Sequence, residues 1–135
     1  MAKTRENMLP VGTTLSTSGS PFISDPFDIE NWGQVAIETF PGTVTGGWFF
    51  AVEVCTDDMA WVALPIEDPS GSSGSGGDYV VPGYRYVRQP PDTAGQHLTY
   101  PITVAGYKKL RIKAWAGTSA TACQIYLNRL RLSSQ

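Results

Sequence analysis

Short runs of alternating apolar and polar residues, cut repeatedly by glycine and proline, decide what this chain can fold into. A period of two sends every second side chain to one face of a strand. No window keeps apolar residues at helical spacing long enough to make an amphipathic helix. The sequence therefore predicts an all-β protein. In residues 34–40 (QVAIETF), Val35, Ile37 and Thr39 share one face, with Gln34, Ala36 and Glu38 on the other. In 48–55 (WFFAVEVC), Trp48, Phe50, Val52 and Val54 share a face, and Glu53 marks the other side as wetter. The run 110–116 alternates most cleanly: Leu110, Ile112 and Ala114 face in, while Arg111, Lys113 and Trp115 face out. In the last run Cys123, Ile125 and Leu127 share a face. Beyond Asn128 the apolar phase moves to Leu130 and Leu132, which predicts a one-residue bulge there.

The weaker runs fit the same plan. Residues 21–25 (PFISD) read as a short edge strand, bounded by Pro21 and Pro26. Residues 56–60 (TDDMA) make a hairpin turn from which 61–66 (WVALPI) returns. The stretch 79–88 (YVVPGYRYVR) reads as a strand broken by a bulge or turn at Pro82-Gly83, and 98–104 (LTYPITV) as a further strand. Roughly eight strands with turn signals between them describe a single β-sandwich of the jelly-roll kind. At 135 residues the chain makes one domain that needs neither disulfides nor metal to support its core. Residues 21–135 are assigned to that sandwich, with a flexible Gly/Ser-rich surface loop at 67–78 (EDPSGSSGSGGD). Residues 1–20 (MAKTRENMLPVGTTLSTSGS) carry too little apolar area to offset the entropy of ordering alone. They are expected to form an extended or flexible arm, with Met8, Leu9, Val11 and Leu15 as its anchors on a neighbour.

Charge is unevenly spread. Residues 1–78 carry two cations against eleven carboxylates, a net −9, and residues 79–135 carry eight cations against Asp92, a net +7. Either strands from the two halves interleave and neutralise one another, or two faces of opposite sign dock head to tail in an oligomer. The overall charge of −2 and the lack of a long basic block argue against nucleic-acid binding. The polar start and the absence of a long apolar run predict no secretory signal and no membrane span, so the chain is expected to be made and left in the cytosol or carried out by something larger. Cys55 and Cys123 fall on opposite strand faces and are expected to remain free thiols.

No catalytic set emerges. His97 is the lone histidine, in a loop, and with two separated cysteines it makes no zinc site. Asp57-Asp58 suits a tight turn, with weak calcium binding as the other reading. Glu38, Glu53, Glu67 and Asp68 give no reason to choose a hydrolytic pair. The glycines of 67–78 lack the lysine and the strand-to-helix setting of a phosphate loop. No cofactor and no metal are expected. Trp115 stands on a charged face between basic neighbours. It packs under a loop or the arm, anchors a protein interface together with Arg111 and Lys113, or stacks on a sugar.

Three segments carry a resemblance: 32–37 (WGQVAI), 48–64 (WFFAVEVCTDDMAWVAL) and 104–127 (VAGYKKLRIKAWAGTSATACQIYL). Together they resemble small β-sandwich domains of tailed-bacteriophage structural proteins, over about residues 27–132, with an insertion at the Gly/Ser loop. The resemblance implies a capsid decoration (cement) protein in the virion, held on the capsid surface and partnered by the major capsid protein. It also implies a homo-oligomer, with trimers favoured. The alternative is a tail, baseplate or head-fibre adhesion module that binds host-surface carbohydrate through Trp115 with Tyr84 and Tyr86; a small glycosidase ranks last.

Overall fold

The computed structural model describes residues 5–10, 12–17, 19–44, 46–56, 60–66, 79–81, 84–118 and 121–130. Its strands are β1 (Arg5–Asn7), β2 (Thr14–Leu15), β3 (Phe22–Ile23), β4 (Phe27–Asp28), β5 (Gln34–Pro41), β6 (Trp48–Cys55), β7 (Val62–Leu64), β8 (Tyr79–Val81), β9 (Tyr84–Val87), β10 (Leu98–Thr103), β11 (Lys109–Ala116) and β12 (Thr121–Leu130). Two antiparallel sheets result, one ordered β1-β12-β5-β10 with β2 also on β12, the other β3-β11-β6-β7 with β4 also on β11. They pack face to face as a β-sandwich, and the described residues contain no helix. The Gly/Ser loop and Asp57-Asp58 lie outside the described residues.

The inward faces are those the alternation marks. Val35 and Ile37 of β5, Ile125 and Leu127 of β12, and Tyr100 of β10 meet Phe50, Val52, Val54, Leu110 and Ile112 from the other sheet, all at 0–1% exposure. Phe50 meets Tyr100 edge-on across the interface, with ring centroids 5.0 Å apart. Trp48 is fully buried and satisfies its indole N–H by donating to the Pro91 carbonyl at 2.9 Å. Tyr79–Val81 (β8) pairs antiparallel with Tyr84–Val87 (β9), so the expected break falls between the two strands of a hairpin. After β9, Arg88 exchanges backbone hydrogen bonds with Phe50 at 2.9 and 3.0 Å, which lays this segment on the free edge of β6.

The expected bulge near Asn128 is absent. β12 keeps one register against β5 from Cys123↔Pro41 to Leu130↔Gln34, so the alternation carries Arg129 inward. Its side chain is 2% exposed, donates from Nε to the Asp28 carbonyl at 2.7 Å, and places Nη1 3.2 Å from Glu6 Oε1. A guanidinium with a carboxylate and a carbonyl to hand occupies a core position without breaking the pleat.

The segment expected to reach a neighbour is built into this chain's own sandwich. Arg5 to Asn7 pair with Asn128 to Tyr126, Met8 N–H donates to Ile125 O, and Thr14 and Leu15 pair with Ala122 and Thr121. Met8 (2%), Leu9 (0%) and Leu15 (1%) are core side chains of this same sandwich; Val11 lies outside the described residues. The chain then crosses to the second sheet, where Ala116 N–H donates to Ser16 O. There β3 and β4 pair along β11, and Ile29 closes the run, fully buried. Residues 5–29 are thus a strap covering the edges of both sheets on one side. The gain is twofold: the apolar anchors are buried, and two strand edges that would template aggregation are paired.

At one end of the sandwich, two turns meet backbone to backbone. Gly117 N–H donates to Gly47 O at 2.9 Å, and a Cβ on Gly117 would overlap the Gly46 carbonyl. Gly46 and Gly47 have φ of +74° and +81°, the left-handed region that glycine enters without a Cβ clash.

Candidate functional site

The outward face of the second sheet carries the charged residues singled out in the sequence. Across β11 and β6, Arg111 pairs with Glu53 in register, its Nε donating to Oε1 at 2.8 Å. Lys113 Nζ lies 3.4 Å from the other Glu53 oxygen, so one carboxylate serves two cations. The Arg111 guanidinium also lies over the Trp61 ring, 4.3 Å from its centroid. Arg111 and Lys113 are therefore brought together as expected, and Trp61 joins them because β7 runs antiparallel beside β6.

Trp115 is placed differently. It is on the same outward face, yet it is 2% exposed, in a small second cluster with Ala51, Val87 and Phe49. The Phe49 and Trp115 rings stack at 6.0 Å, and Val87 covers them where β9 runs onto the edge of β6. The indole has no open face for a sugar or for a partner's side chain. A cover supplied by residues far away in sequence is invisible to strand periodicity.

The outward face of the first sheet carries a row that strand alternation alone did not single out. Arg5 lies over the Tyr126 ring at 4.3 Å and pairs with Glu38 at 3.3 Å. Tyr126 meets Phe40 edge-on at 5.5 Å, and His97 stacks on Phe40 at 5.2 Å. The rings stand side by side across the sheet and cover one another.

Among the described residues, ion pairs join the two oppositely charged halves: Lys108–Glu30, Arg111–Glu53, Lys113–Glu53 and Arg129–Glu6 each join a cation from 79–135 to a carboxylate from 1–78.

A cleft of about 240 Å³ opens within the strap, between its first-sheet part (Asn7, Met8, Pro10) and its second-sheet part (Phe22, Ile23, Asp25, Phe27). Ile23 on its rim is 48% exposed; with Val62 at 52% it is one of the two large apolar side chains left in water among the described residues. Sequence reasoning missed this cleft because it depends on how the strap crosses from sheet to sheet. Among the described residues no group of three or more His, Cys, Asp or Glu is arranged to hold a metal ion.

No protein-family model matches the chain, and no curated protein matches it. A solved structure does. The crystal structure of the SPBc2 prophage-derived protein YomS superposes with a TM-score of 0.59 over 92% of this chain and 88% of that one. At 7% identity the likeness to YomS is one of fold. It extends over nearly all of both chains, so the two-sheet sandwich is matched as a unit.

The two cysteines are free and buried. Burial pushes the Cys123 thiol from 9.0 to about 12. An acid whose folded pKa is raised stays neutral in the fold while the unfolded chain ionises. The stabilisation is therefore whole below pH 9 and is lost as pH climbs toward 12. Stability is expected to fall with a slope of about 1.4 kcal/mol per pH unit in that window, over and above other titrations. Cys123→Ala is expected to remove this slope; denaturant unfolding of both proteins at pH 8, 9.5 and 10.5 checks it.

Proposed function

We propose that this chain is a non-enzymatic structural protein of a tailed-phage virion, bound to the outer capsid surface as a decoration protein that stabilises contacts between major capsid protein subunits. The observation that carries the reading is the fold shared end to end with the prophage-derived YomS. The hairpin segments 48–64 and 104–127, which resemble phage structural sandwiches, point the same way. The site chemistry agrees in kind. Glu53 is held by two cations, His97 stacks on Phe40, and the paired strands give a rigid body suited to cohesion.

Decoration acts by adding buried area across subunit joints that strain when DNA fills the head. The oligomeric form proposed is a homo-oligomer, with a trimer favoured at three-fold positions. The carbohydrate-adhesion alternative loses one of the three aromatic residues that motivated it, since Trp115 is covered by Phe49 and Val87.

The test is where the protein resides on particles. Stoichiometric copies on purified heads, and heads that lose DNA at lower temperature without it, are the expected result. Tagged protein found only at the tail tip would overturn the capsid assignment.

A further inference from the structure

The cleft within the strap has an apolar floor and a charged lip. Met8 is 2% exposed at its base, and Phe22 and Phe27 are half-buried on its wall. Asp25 stands exposed at the mouth, and among the described residues its carboxylate has no hydrogen bond or ion pair. Asn7, the other polar lining residue, is already committed: its amide donates to Gln124 at 3.1 Å and its carbonyl accepts from Leu9 N–H at 3.0 Å. The cleft therefore offers one uncommitted polar group, a negative one, above a surface that prefers apolar atoms.

A sugar or nucleotide needs several convergent donors and acceptors, which this lining does not supply. The apolar surface instead continues past the mouth onto Ile23, so its ligand extends beyond the cavity. Charge complementarity asks for a cation within reach of Asp25. We propose that this cleft is a socket for a partner-protein peptide in which a bulky apolar side chain is followed by lysine or arginine. The apolar side chain enters over Met8, Phe22 and Phe27, and the cation pairs with Asp25. The inference rests on the proposed function only for the partner's identity, a capsid subunit.

The test titrates the full, isotope-labelled chain with two dipeptide amides, acetyl-Phe-Lys-NH2 and acetyl-Phe-Glu-NH2. The lysine probe is expected to shift the backbone resonances of Met8, Ile23 and Phe27 and to bind about fivefold tighter than the glutamate probe. Asp25→Asn, an exposed substitution, is expected to erase that preference. Equal affinities, or shifts confined elsewhere, overturn the socket. On heads stripped of this protein, Asp25→Lys and Ile23→Ser are each expected to lower occupancy about tenfold, with Val62→Ser unchanged. Wild type that binds while all variants bind equally overturns the socket and leaves the capsid reading standing. Wild type that does not bind heads overturns the capsid reading, and the dipeptide titration then decides the socket by itself.

Discussion

Glu6→Ala is expected to cost the fold about 3 kcal/mol, while Arg129→Met is expected to cost less than about 1 kcal/mol. The asymmetry comes from burial. The Arg129 side chain is 2% exposed and the Glu6 side chain 28%. Removing the carboxylate takes away the counter-charge of a buried guanidinium that cannot give up its proton, leaving only neutral acceptors such as the Asp28 carbonyl. Removing the guanidinium leaves a carboxylate that can rehydrate, while methionine fills the volume of the aliphatic stem. Denaturant midpoints at constant slope measure both. Equal losses would show that the pair's value lies in the pair itself and not in the buried cation.

Gly117→Ala is expected to cost about 3 kcal/mol through overpacking, since an added Cβ there makes the tightest approach of any described glycine. The new Cβ would meet the Gly46 carbonyl, and that carbonyl belongs to a turn whose glycines already have left-handed φ. Backbone cannot swing aside as a flexible side chain would. The Gly117–Gly47 hydrogen bond would open and the two turns would separate. Gly42→Ala makes a milder comparison, since its Cβ would lie 2.8 Å from the Ala122 carbonyl. A Gly117→Ala protein with wild-type stability would show that the turns do not pack as described.

These two sites also mark where sequence legibility ends. The inward set of β11 could be read directly, because Leu110 and Ile112 alternate with Arg111 and Lys113, and in β6 Glu53 alone marked which face is wetter. Arg129 could not. An arginine in an apolar phase looks like a slip of register until Glu6, paired from the far end of the chain, supplies its counter-charge. The strap was hidden apart from residues 21–25, which read as the edge strand that β3 is. Strands of two or three residues have no period to detect, and their stability comes wholly from the edges they cover. Arg111 and Lys113 were legible as an outward charged pair, but the fate of Trp115 depended on Val87, which no local pattern places beside it.

The strap has a consequence for how the protein folds. Its first strand pairs with the last one described, Arg5 against Asn128. Pairing across so long a separation carries a high loop-closure cost, so the strap is expected to dock late, after the sheets that it covers have formed. Until β12 is in place, Met8 and Leu15 lack the strand edge that β1 and β2 rest on.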